Sequence, residues 1–167
     1  MDIIRKGRHK REQQRKVIFT AGQEILFQFT GKTEDLKIDK HNRCIRWLTE
    51  QDYSIFSHHL KLCGQKPLSK KIWNEIYRDG TIYCGMFENG NMIARACIEI
   101  ISPNQWEIAD VRVVEEYRNQ GCAFQICQFV LSYILENNKT PTIRTKDTNY
   151  PMQKVIANLG FQKQNEI

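Results

Sequence analysis

Val111-Arg112-Val113-Val114-Glu115-Glu116-Tyr117-Arg118-Asn119-Gln120-Gly121-Cys122-Ala123 decides the reading of this 167-residue chain. An apolar strand enters a short polar turn, and the turn opens directly into a helix with glycine and alanine at the changeover. The first N–H groups of a helix have no partner within it, and the helix dipole adds partial positive charge at the same end. Such a junction can hold phosphate oxygens. Gly121 lets the backbone come close to a ligand, and the small Ala123 keeps the first helical turn clear. Arg118 adds a formal charge beside the spot.

Working upstream, residues 106–114 form the strand that feeds this turn, and residues 92–101 form the strand before it. Asn89-Gly90 is a hairpin signal joining residues 92–101 to a further strand at 81–87. Alternation puts Ile82, Cys84 and Met86 on one face, and Tyr83, Phe87, Ala94, Ala96 and Ile98 on the other. A sheet apolar on both faces is covered on both, here by helices. Residues 44–48 form a short strand, and Thr49-Glu50-Gln51-Asp52 has the pattern of a helix cap. Tyr53, Phe56, Leu60 and Cys63 recur at three- and four-residue spacing, which predicts an amphipathic helix. His58 and His59 fall within it and are expected at the surface or half-buried. A second helix covers residues 69–78. Near the start of the chain, Val17-Ile18-Phe19 and Ile25-Leu26-Phe27-Gln28-Phe29 flank Ala21-Gly22-Gln23, the pattern of a hairpin over residues 16–30. Residues 31–42 read as a polar linker.

Downstream, residues 121–136 form a helix whose Ala123, Cys127, Val130, Leu131 and Ile134 make an apolar stripe. Residues 142–145 form a short strand, parallel to the 106–114 strand if the helix is a crossover. A last helix covers residues 151–159, and Gly160-Phe161 closes it.

The length suits one domain with a sizeable core. No apolar run approaches a membrane span, and the charged N-terminal stretch is unlike a signal peptide, so a cytoplasmic location is expected. The six cysteines include no Cys-x-x-Cys pair, which predicts reduced core thiols and no metal site. The net charge is +6, and most of it comes from Arg5, Lys6, Arg8, Lys10, Arg11, Arg15 and Lys16. That segment reads as a solvated tail. No aromatic residue is interleaved with its charges to stack on bases.

The spacing Arg118-x-x-Gly121-x-Ala123 after Val111-x-Val113 resembles the pyrophosphate loop of the GNAT superfamily of acyl-CoA N-acyltransferases. Asn149-x-x-Met152 with Leu159-Gly160-Phe161 resembles that family's Asn-x-x-Ala…Leu-Gly-Phe helix, and the element order over about residues 44–161 matches as well. The resemblance implies an α/β (α+β) fold: a mixed, mostly antiparallel sheet, helices on both faces and a splayed pair of parallel strands. It divides the chain into a basic segment with hairpin and linker, residues 1–42, and an acetyltransferase domain, residues 43–167.

The function implied is transfer of an acetyl group from acetyl-CoA to an amine of a small molecule or peptide, by direct attack on the thioester. Backbone groups of Val111 and Val113 would pair with the pantetheine amides. The N–H groups of Arg118, Asn119, Gln120, Gly121, Cys122 and Ala123 would hold the pyrophosphate, and Asn149 would fix the pantetheine arm from the other side. The N–H of Val113 is the implied oxyanion donor. Glu107 is the expected base, eleven residues before Arg118, and alternation puts it on one face with Ala109, Val111 and Val113. Glu99 and Asp110 are second choices.

Two departures from the family pattern stand out. Seven residues after Asn149, where many members carry a tyrosine acid, this chain has Ile156. Tyr150, beside Asn149, is the remaining candidate, and a thiolate of pKa about 8.5 can also leave unassisted. After Gly160-Phe161 only residues 162–167 follow, too few for the family's last two strands. The expectation is that residues 16–30, or a second subunit of a homodimer, complete the sheet. Two alternatives to catalysis are kept. One is a module that binds acyl-CoA without turnover. The other is nucleic-acid association through residues 1–16, for which no base-reading motif is visible.

Overall fold

The computed structural model describes residues 22–32 and 43–165. The basic residues 1–16, the first arm of the expected hairpin at 17–19 and most of the linker lie outside them. In chain order the elements are β1 (Glu24–Phe29), β2 (Cys44–Trp47), α1 (Tyr53–Leu62), α2 (Lys70–Arg78), β3 (Ile82–Glu88), β4 (Asn91–Ile100) and β5 (Gln105–Val113). They continue with α3 (Cys122–Glu136), β6 (Thr140–Lys146), α4 (Tyr150–Asn158) and β7 (Phe161–Lys163). The strands form one seven-stranded sheet in the order β2-β3-β4-β5-β6-β1-β7. β5 and β6 are parallel, and the other neighbours are antiparallel. The expected fold class is therefore the observed one.

Local chemistry sets the element boundaries. Thr49 and Asp52 make a reciprocal capping box on the 3-10 turn Glu50–Asp52 that leads into α1. Ser69 caps α2 by accepting from Ile72 N–H at 3.2 Å. Asn89 and Gly90 both have positive φ, 50° and 78°, as a tight hairpin turn requires.

α3 covers one face of the sheet. Ile126, Cys127, Val130, Leu131 and Ile134 pack against Cys84, Met86, Ala94, Ala96, Ile98, Ile108 and Ile143. α1 and α2 cover the other face, where Phe56, Leu60 and Trp73 meet Tyr83, Met92 and Cys97. The register Cys84↔Ala96 and Met86↔Ala94 puts Ala94, Ala96 and Ile98 with Cys84 and Met86, not with Tyr83 and Phe87 as sequence alternation suggested. The pairing shifts between Met86 and Phe87, and single-strand alternation cannot reveal a shift between strands. Four cysteines are buried, Cys63 is half-buried and Cys44 is exposed; all are free thiols. Burial pushes the Cys127 thiol up to about 12, which makes it inert at neutral pH.

The second arm of the expected hairpin is β1, and it lies inside the sheet. It pairs with β6 from Glu24↔Lys146 to Gln28↔Thr142, and with β7 from Phe27↔Lys163 to Phe29↔Phe161. The chain's own N-terminal strand thus completes the sheet beside β6. No helix among the described residues is long and apolar enough to cross a membrane.

Candidate functional site

The site begins where the parallel ladder stops. β5 and β6 pair only from Gln105↔Thr140 to Ile108↔Ile143, although β5 continues to Val113 and β6 to Lys146. The divergence has a local cause. Between Arg95↔Arg112 and Cys97↔Ala109, the single residue Ala96 faces both Asp110 and Val111, and Asp110 has φ +50°. Such a bulge bends its strand away from a flat ladder. Beyond it, Val114 N–H donates to the Ile93 carbonyl across β4 at 2.9 Å. Backbone groups alternate sides along a strand, so the N–H of Val113 faces the other way, into the opening. The Val113 carbonyl accepts from Arg118 Nε at 3.3 Å.

The bulge also corrects the expected alternation of β5. Val111 and Val113 pack with the α3-side core, whereas Ala109 packs with the α1/α2-side core. Glu107 therefore shares a face with Ala109 only. Nothing in the sequence marked Asp110 as the residue where the count slips.

A 3-10 turn, Glu115–Tyr117, carries the chain from β5 to the phosphate turn. There Asn119 (φ 59°) and Gly121 (φ 78°) are left-handed and flank Gln120. Gly121 is the N-cap of α3, and it makes no side-chain capping bond there. Successive N–H groups in such a turn converge into an anion-binding concavity, with the helix dipole behind them. Arg118, Asn119, Gln120, Gly121, Cys122 and Ala123 are all at this mouth. Sequence reasoning missed Arg43, whose guanidinium reaches Gln120 and Cys122 from the start of β2. A lone arginine at the end of a polar stretch gives no signal.

Glu107 lies one residue before the last paired rung. Its side chain is buried, and its Oε2 accepts from Arg144 Nε at 3.1 Å. Its Cα partners are Glu99 on β4 and Thr142 on β6. Asp110, a second-choice base, is fully engaged. It receives Arg95 Nε at 3.1 Å, Arg95 Nη2 at 3.2 Å and the Tyr83 hydroxyl at 2.9 Å. Arg95 is itself buried, and it also donates to Gln65 Oε1 at 2.7 Å. Its signal in the sequence is a cation in the middle of the apolar run Met92–Ile100, on a strand covered on both faces.

At the far side of the opening, the Asn149 side chain accepts from Met152 N–H at 3.3 Å and caps α4. Tyr150, at the first position of α4, is 72% exposed, while Ile156 is fully buried core. Among the described residues no group of three or more His, Cys, Asp or Glu side chains is placed to hold a metal ion.

His59 departs from expectation: it is completely buried. Its Nδ1 lies 3.1 Å from Arg95 Nη1, which can only donate, so the ring is neutral and accepts there. Burial first, and the Arg95 charge second, lower its pKa to about 4. The unfolded chain would hold this histidine near 6.5. The unfolded state therefore binds more protons between those values, so stability is full above about pH 6.5 and declines as pH falls toward 4. The expected loss is on the order of 3 kcal/mol at most. Urea unfolding from pH 7 to pH 4.5 should show the decline, and His59→Gln should flatten it. An equal slope in both proteins would remove His59 as its source.

The mixed sheet, the parallel β5–β6 pair that stops pairing at Ile108 and the Gly121 turn into α3 have the architecture of the GNAT fold. The chain belongs to the acetyltransferase (GNAT) family, whose profile matches residues 41–161. Among solved structures it is similar to a GNAT-family protein from Novosphingobium aromaticivorans, with TM-score 0.69, 18% identity, and coverage of 88% of this chain and 62% of that one. A GNAT-family acetyltransferase from Colwellia psychrerythraea is similar at TM-score 0.67 and 15% identity, over 93% of this chain and 58% of that one. The structure of AAC(6')-Iy, solved with the bisubstrate analogue CoA-S-monomethyl-acetylneamine, is similar at TM-score 0.64 and 18% identity, over 75% of this chain and 95% of that one. The chain thus spans about three-fifths of the length of the first two. No curated protein sequence matches it.

Proposed function

We propose that the chain transfers an acetyl group from acetyl-CoA to an amine by direct attack on the thioester. The observation that carries this reading is the ladder that ends at Ile108↔Ile143 beside an uncapped helix mouth with two left-handed residues. That combination offers a slot for an extended amide-bearing arm and, at its end, a seat for a diphosphate. In the slot the backbone of Val111 and Val113 pairs with the pantetheine amides, and Asn149 meets the arm from the α4 side. The turn from Arg118 to Ala123 holds the pyrophosphate. Family membership supports this donor, and so does the CoA-containing analogue bound by AAC(6')-Iy.

In this reading Glu107 takes a proton from the acceptor ammonium, directly or through one water. The free amine attacks the thioester carbonyl, and the Val113 N–H receives the developing oxyanion. The C–S bond then breaks. The thiolate takes its proton from Tyr150 or from solvent. The acceptor is an amine-bearing small molecule or peptide, bound on the α1/α2 side of the sheet, where Glu107 points. Calorimetric titration with coenzyme A, followed by thiol release from acetyl-CoA over a panel of amines, tests the reading. Binding without release for any amine would favour the second reading, a module that holds acyl-CoA without turnover. The buried Ile156 at the usual acid position favours that second reading. No heat and no rise in melting temperature with coenzyme A would end both.

A further inference from the structure

Arg43 stands outside the phosphate turn yet touches it at three atoms. Its Nη2 donates to Gln120 Oε1 at 2.9 Å and its Nη1 to the Gln120 carbonyl at 3.4 Å; Nη1 also lies 3.1 Å from Cys122 Sγ. The third nitrogen, Nε, donates to Glu88 Oε1 at 3.2 Å. Glu88 also lies beside Tyr117, whose pKa is raised by desolvation first and by the Glu88 charge second. The Arg43 side chain is only 15% exposed. The guanidinium therefore joins the start of β2, the end of β3, the turn and the first residue of α3.

The consequence follows from peptide geometry. A trans peptide is planar, with its C=O and N–H pointing in opposite directions. The Gln120 carbonyl belongs to the same plane as the Gly121 N–H. With that carbonyl turned toward Arg43, the Gly121 N–H is aimed the opposite way, away from Arg43. Gln120 sits between the left-handed Asn119 and Gly121. Glycine in particular has little conformational preference to hold that plane by itself. A fixed hydrogen-bond fork can hold it.

We infer that Arg43 is a positioning residue for the diphosphate seat: its fork fixes the Gln120–Gly121 peptide so that the Gly121 N–H faces the anion. The inference rests on the proposed acetyl-CoA reading and names the residue that pre-organises it. Its effect is on the pyrophosphate end of the ligand and not on the thioester end.

The test uses the full chain with coenzyme A and with pantetheine, which lacks the diphosphate. Calorimetry gives the first dissociation constant and competition binding the second. Arg43→Met is expected to weaken coenzyme A about tenfold, the worth of roughly one hydrogen bond to a charged group. Pantetheine should weaken by less than about twofold, a change too small for a lost hydrogen bond. Arg43→Lys keeps the charge but not the fork, so it should be as weak as Arg43→Met. If Arg43→Lys restores wild-type affinity, the residue acts by charge alone and the inference is overturned. Equal losses for both ligands, or no loss for coenzyme A, overturn it as well. Should Arg43→Met fail to fold, Arg43→Lys alone decides. Wild-type protein that binds no coenzyme A refutes the donor assignment instead, so the two failures are distinguishable.

Discussion

Glu107→Gln is expected to lower kcat by about 10²–10⁴-fold, the usual worth of a positioned general base, with little change in KM for acetyl-CoA. The measurement is thiol release with whichever amine of the panel is turned over. Glutamine preserves the volume of a buried side chain and can still accept from Arg144 Nε through its amide oxygen, in place of the Glu107–Arg144 bond at 3.1 Å. The fold should therefore survive, and a melting temperature near wild type would show that it has. The split between kcat and KM is the telling part, because the slot proposed for the pantetheine begins beyond Ile108 and the proposed diphosphate seat is farther still. A distorted sheet would raise KM together with the loss in kcat. Unchanged kcat would remove Glu107 as base, and Glu99, its Cα partner on β4, would be next to test. Asp110 would not be, since its carboxylate is already held by Arg95 and Tyr83.

What the sequence disclosed and what it hid divide along a physical line. Features written in consecutive residues were legible: the Asn89-Gly90 turn, the Thr49–Asp52 cap, the amphipathic stripe of α3 and the Gly121 turn that opens it. Each depends on local propensity or on one element's period. Features made by two distant segments were not legible. The Arg43 fork joins residues 77 and 79 positions apart. The Arg95–Asp110 pair and its buried neighbour His59 come from two strands and a helix. The bulge at Asp110 reversed the side on which Val111 and Val113 were expected, because one inserted residue flips everything after it. The position of β1 between β6 and β7 is likewise a pairing of distant segments, which no single stretch of sequence displays.

Deleting residues 1–32 is expected to abolish cooperative folding, the largest stability effect anticipated for this chain. β1 is an internal strand, paired at five positions with β6 and at three with β7. Its Phe27 and Phe29 pack on the α3-side core, and Phe29 meets Phe161 edge-on at 5.5 Å between ring centres. Just after the strand, Thr30 and Gly31 N–H both donate to the Gly160 carbonyl, at 3.0 and 3.2 Å. The approach is tight: a Cβ built on Gly160, whose φ is +93°, would lie 3.2 Å from the Phe29 ring and 3.4 Å from Gly31 Cα. Removing β1 would strip the ladder from one side of β6 and leave β7 with no neighbour among the described residues. It would also uncover Phe161, which is buried in the intact chain. Each buried aromatic or aliphatic side chain contributes roughly 1.5–3 kcal/mol, against a total stability of about 5–15 kcal/mol for an ordinary domain. Loss of the half-buried Phe27 and Phe29, re-exposure of the buried Phe161 and two broken ladders together remove a large share of that total. The truncated chain should be insoluble, or soluble without a cooperative melt. Adding a peptide of residues 22–32 should restore one, because the peptide supplies the strand that both β6 and β7 pair with in the intact chain. A truncated chain that melts cooperatively within a few degrees of wild type, with no peptide added, would show that the sheet closes without β1.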